Sequence, residues 1–154
     1  KGIPRDVPQP ARVAAVPGAG AKGSPRVVMT LQKHLHVSDY YSGLHVMQTD
    51  DLGGTWTAPD PRPELAWRRT PEGLTLAVCD VTPGWHAPTR RLLAIGAQVQ
   101  YNDTGAQLAG TPRAHQTAYS VHNPSDGTWT PWAVVTMPED PRFECCRCAC
   151  SQWG

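Results

Sequence analysis

His34 and His36 stand two residues apart, a spacing that puts both imidazoles on one face of an extended segment. Together with Asp39 or His45 they make a nitrogen–oxygen set of the kind that suits Zn²⁺. The spacing follows no metal-binding signature, so a polar strand end beside a site is the simpler reading, and we expect no metal and no cofactor. Cys145, Cys146, Cys148 and Cys150 crowd together near the end of the chain. They include a Cys-x-x-Cys pair but no well-spaced second pair, as a four-ligand zinc site requires. Five cysteines cannot pair fully within one chain, so cysteine usage fixes no redox compartment. No Gly-rich phosphate loop, Ser-His-Asp arrangement or dinucleotide fingerprint occurs. What remains unusual is the aromatic content, six Trp against one Phe.

The elements that position these residues must be strands. The 14 Gly and 16 Pro are spread evenly through 154 residues, leaving no room for long helices. Between them, apolar residues alternate or form short β-branched runs. Strands are expected at 12–16, 27–32, 44–48, 74–79, 91–100, 116–122 and 128–136, separated by turn residues such as Pro17-Gly18 and Pro83-Gly84. Regularly spaced strands of this kind predict an all-β sandwich, barrel or propeller. The 14 Lys and Arg nearly balance 13 Asp and Glu, for a net charge of +1, which argues against a nucleic-acid partner. No apolar run approaches the ~18 residues of a membrane span, and no signal segment is present. The chain starts at Lys1, as a processed or cut end would.

Two stretches repeat. Gly53-Gly54-Thr55-Trp56 and Asp126-Gly127-Thr128-Trp129 each close a polar turn. Their separation exceeds the ~40–45 residues of a compact propeller blade, and long inter-strand loops account for the excess. Two blades are therefore expected, at about 8–58 and 72–136, joined by a Pro-rich link at 59–63 and followed by the start of a third at 143–154. In the first turn, Thr49-Asp50-Asp51-Leu52-Gly53-Gly54-Thr55-Trp56 reads Ser/Thr-x-Asp-x-Gly-x-Thr-Trp. Asp51 is placed to accept hydrogen bonds from the turn's amides, Gly53 to supply its left-handed backbone, and Trp56 to pack between blades. These are structural roles. The second turn lacks an Asp at the matching position.

This octapeptide is the Asp box, or BNR repeat, and the chain resembles the sialidase-like β-propellers. The resemblance implies part of a six-bladed propeller from a secreted or periplasmic protein related to exo-α-sialidases. It implies a retaining hydrolase that removes a terminal sugar from a glycan, with an acid/base carboxyl and a nucleophile. In the family the acid/base Asp lies in a loop just before the first Asp box, and Asp39 is the only Asp in that loop here. Asp80, Trp85 and His86 fall where a mouth loop precedes an innermost strand, as acceptor, stacking face and polar contact for a sugar. The family's opening aromatic-Arg-Ile-Pro motif appears only as Lys1-Gly2-Ile3-Pro4, with Gly2 in place of Arg. That departure favours the other reading, a non-catalytic carbohydrate- or protein-binding propeller. The resemblance places the nucleophile and further arginines in later blades. A fragment of this kind is expected to self-associate and to be inactive alone.

Overall fold

A computed structural model describes residues 11–35, 40–106, 108 and 116–136. These residues form two antiparallel sheets with no α-helix among them. The first sheet contains β1 (Arg12–Val16), β2 (Arg26–Leu31), β3 (His45–Thr49) and β4 (Asp60–Pro61), paired in chain order. The second contains β5 (Arg68–Arg69), β6 (Thr75–His86), β7 (Arg91–Tyr101), β8 (Gln116–Asn123), β9 (Thr128–Trp129) and β10 (Ala133–Val134). Its order is β10-β8-β7-β6-β5, with β9 on β8. Each sheet is thus a meander of neighbouring strands, and β1 and β2 of the first pack on β6 of the second.

Alternation builds the core. Val28 and Thr30 of β2 are buried, as are Ala118, Ser120 and His122 of β8, two residues apart as a pleated strand requires. Val16, Val28, Leu44, Val46 and Leu65 meet Val78, Val81, Leu92, Ala94, Ala118, Trp129 and Trp132 in one cluster between the sheets. Polar side chains stitch it: Thr30 Oγ1 donates to Val81 O (2.9 Å), Gln32 Nε2 to Val78 O (2.9 Å) and Trp132 Nε1 to Leu65 O (3.2 Å). A second cluster, Ala77, Cys79, Val99 and Tyr101, lies under Tyr40 and Tyr41.

Three expectations change in detail. The Pro-rich link is partly strand: Asp60–Pro61 forms β4, where Pro61 sits on an edge that needs no N–H from it. The segment 128–136 is two short strands, because Pro131 interrupts the ladder. Residues 79–86, expected as a mouth loop, are the second half of β6. Pro83 is tolerated there because β5 pairs only with Thr75 and Leu76, leaving that half of β6 as an edge. The expected third-blade segment, 143–154, lies outside the described residues.

Candidate functional site

The connection from β2 to β3 folds back on itself. Leu35 N donates to Tyr40 O (2.9 Å), Ser42 N to Lys33 O (2.9 Å), and His34 bridges Tyr41. Aromatic packing anchors its return: the Tyr40 ring lies edge-on to Tyr101 at 4.8 Å and against Trp67 at 5.4 Å. Burial, together with its contact to Cys79, pushes the Tyr101 phenol well above its ordinary pKa, so it serves as a neutral packing group. His36 and Asp39 belong to the stretch between Leu35 and Tyr40 and lie outside the described residues. His45 Nδ1 is 3.1 Å from Gly43 O, and among the described residues no three His, Cys, Asp or Glu side chains gather as a metal set.

Beside this connection, Arg12, Gln32, Tyr41, Leu44 and Asp80 line a small depression. A bulge between Cys79 and Thr82 brings Asp80 there, exposed and held at φ 53°. Left-handed backbone costs an L-residue about 1 kcal/mol, less for Asp than for most. Asp80→Gly is therefore expected to raise stability by up to about 1 kcal/mol in chemical denaturation, while removing the one carboxylate that lines the depression among the described residues. Trp85 and His86 lie elsewhere. They end β6, five and six residues beyond Asp80 and roughly 16–20 Å along the strand. Asp80, Trp85 and His86 thus do not share one sugar site: the sequence put them in one loop, and the strand pulls them apart.

The Asp box lies between β3 and β4, near the end of the fold that Trp85 occupies. Asp51 Oδ1 accepts from Thr55 N (2.8 Å) and Thr49 Oγ1 (2.7 Å), and its Oδ2 accepts from Thr55 Oγ1 (2.8 Å). Gly53 turns the chain at φ 96° and donates its N–H to Thr49 Oγ1 (2.9 Å). Arg26 grips Asp50 through two bonds of 2.6 and 2.9 Å. Trp56, expected between blades, keeps 37% of its surface exposed.

The second turn, between β8 and β9, reproduces this pattern with a displaced Asp. Asp126 Oδ1 accepts from Thr128 N (3.0 Å) and Thr128 Oγ1 (2.7 Å), as Asp51 does for Thr55. The next threonines also correspond. Gln48 N donates to Thr57 Oγ1 (3.0 Å) and Val121 N to Thr130 Oγ1 (2.9 Å). Here the tryptophan is inside: Trp129 stacks on His122 at 4.5 Å. His122 Nδ1–H donates to Thr128 O (2.9 Å), and burial holds its pKa below the ordinary imidazole value. The sequence marks Asp126 and this turn as a repeat without the matching Asp, but does not show that Asp126 caps Thr128 from its displaced position.

Hydrogen bonds from the Thr55 amide, then the Thr49 and Thr55 hydroxyls, hold the Asp51 pKa down to about 2. An unfolded Asp titrates near ~3.9. The stabilisation from Asp51 is then complete above that value and is lost as pH falls through about 2. Melting temperatures measured from pH ~5 to ~2 should fall less steeply for Asp51→Asn than for the wild-type chain.

No protein-family model, curated protein or solved structure matches this chain. Among the described residues no helix is long and apolar enough to cross a membrane.

Proposed function

We propose that the chain forms two blades of a sialidase-like propeller whose work is the hydrolysis of a terminal sugar from glycans. The observation that carries this reading is the doubled architecture. Two antiparallel meanders meet through β1 and β6, and each carries an Asp-capped Thr-Trp-Thr turn after its third long strand. In this reading the glycan meets the end opposite those turns, where the β2–β3 connection stands beside Asp80, Arg12 and Tyr41. Asp39 acts there as acid/base, protonating the departing sugar oxygen and later deprotonating the attacking water. Asp80 accepts from a sugar hydroxyl, and further blades supply the nucleophile.

Hydrolysis of natural glycans and of activated aryl glycosides by the protein containing these blades tests the assignment. Asp39→Asn should depress the first more than the second, because an activated leaving group needs little protonation. Equal losses, or none, remove Asp39 from that role. Gly2 in place of the family's arginine favours one alternative, a propeller that binds glycans without cleaving them. Glycan binding with no turnover would establish that alternative.

The same reading leaves outward faces for neighbouring blades to cover. Val13, 54% exposed, shares its face with Met29 and Met47 by register, and Ile95, 40% exposed, shares one with Tyr119. The 154-residue chain alone is accordingly expected to elute from a sizing column as dimers or larger species. A sharp monomer peak with a reversible melt would mean that the two sheets are a closed unit.

A further inference from the structure

At the Asp-box end, an open cleft runs between the β1–β2 turn and the hairpin joining β6 to β7. Its polar lining includes Arg26, Thr89, Arg90, Arg91 and Ser125, with Trp85 along the wall. The charges are unevenly matched. Arg26 is engaged by Asp50, whereas Arg90 and Arg91 make no ion pair among the described residues. The carboxylate whose field Arg91 feels, Asp126, accepts from Thr128 and Asn123 through its two oxygens. The hairpin is locally fixed. His86 Nδ1 lies 2.7 Å from Thr89 Oγ1, and Arg90 N donates to Ala87 O (3.2 Å).

Arg90 occupies the left-handed region at φ 54°, where glycine would be free of strain. A strained backbone that presents an exposed guanidinium is a fold cost carried at the position of the charge. Beside it, Trp85 packs one side against the core and remains only half-buried. Arg91 Nη1 donates to Arg90 O (3.1 Å), which leaves the rest of its fork and the Arg90 guanidinium to face the cleft. An aromatic face next to two guanidinium groups that lack an ion pair among the described residues matches a ring that carries an oxyanion, since arginine pairs with carboxylate and sulfate-like groups.

We infer that this cleft is a second binding site, for a saccharide bearing sulfate or carboxylate, separate from the end where Asp80 lies. Its ring stacks on Trp85 and its anionic group lies on Arg90 and Arg91. The saccharide half of the inference rests on the glycan-directed reading above; the anion half rests on the arginines alone.

Calorimetric titration of the 154-residue chain with a sulfated hexasaccharide, its unsulfated counterpart and inorganic sulfate tests it. The sulfated hexasaccharide should bind most tightly, and added salt should weaken it. Arg90→Gly relieves the strain and keeps the fold, yet should weaken binding about tenfold, and Arg91→Gln by a similar factor. The hydrolysis assay reads the Asp80 end and the arginine variants read this cleft, so a failed hydrolysis assay and a failed titration are separate results. No binding, unchanged affinity in both arginine variants, or sulfate binding as tightly as the hexasaccharide would overturn the inference.

Discussion

Trp129→Ala should lower the unfolding free energy by about 3–5 kcal/mol, whereas Trp56→Ala should cost only about 1 kcal/mol. The two residues end the same kind of turn. Trp129 is 5% exposed, stacked on His122 and packed among side chains of both sheets. Removing it opens a cavity in the only cluster that joins the sheets among the described residues. Trp56 lies over its own turn and touches no such cluster. Trp129→Phe refines the expectation. The buried Trp129 Nε1 has no hydrogen-bond partner among the described residues, so losing that donor offsets part of the lost packing. Denaturant unfolding of the three variants should rank Trp129→Ala far below Trp56→Ala, with Trp129→Phe close to wild type. Equal losses for the two alanine variants would mean that Trp129 is not the link between the sheets.

Gly96→Ala should cost about 2–3 kcal/mol, although it adds a single methyl group. Gly96 faces the Asp80 bulge across the β6–β7 ladder. A Cβ there would stand 2.6 Å from Cys79 O and 2.7 Å from Val78 Cγ1, distances no real Cβ keeps. One of those atoms is backbone, so the strand must move. The movement shifts the bulge and with it Asp80. Loss of stability together with loss of the proposed glycan contact at the Asp80 end is the expected pair of results. If Gly96→Ala were as stable as wild type, the bulge would not be locked against β7.

The all-β character was legible because period-two alternation survives in β2 and β8, where one face is buried. The strand ends were less so. Residues 79–86 contain Asp80, Pro83 and Gly84, all turn formers by type. Their strand conformation depends on β5 stopping short, a tertiary fact that no local pattern carries. The first Asp box could be read because its ligands are sequential. The turn at 123–129 could be read as a repeat but its cap could not, since Asp126 reaches Thr128 from two residues away while Asp51 reaches Thr55 from four. The candidate site divides in the same way. Asp80 and its neighbours meet only through the bulge, and Arg12 comes to them from a strand some seventy residues earlier.

The guarded outer strands have a consequence for how the chain behaves at high concentration. Pro61 removes a donor from the rim at β4, Arg68 and Arg69 charge the rim at β5, Pro131 truncates the rim at β10, and the remaining outer strand, β1, packs against β6. Backbone-templated growth, in which one molecule adds strands to the next without limit, is obstructed on each of these rims. Contacts through the broad faces are not. Assemblies of this chain should therefore be discrete, dilutable and negative for fibril-sensitive dyes, because face contacts saturate after a fixed number of partners while a zipper of strands does not.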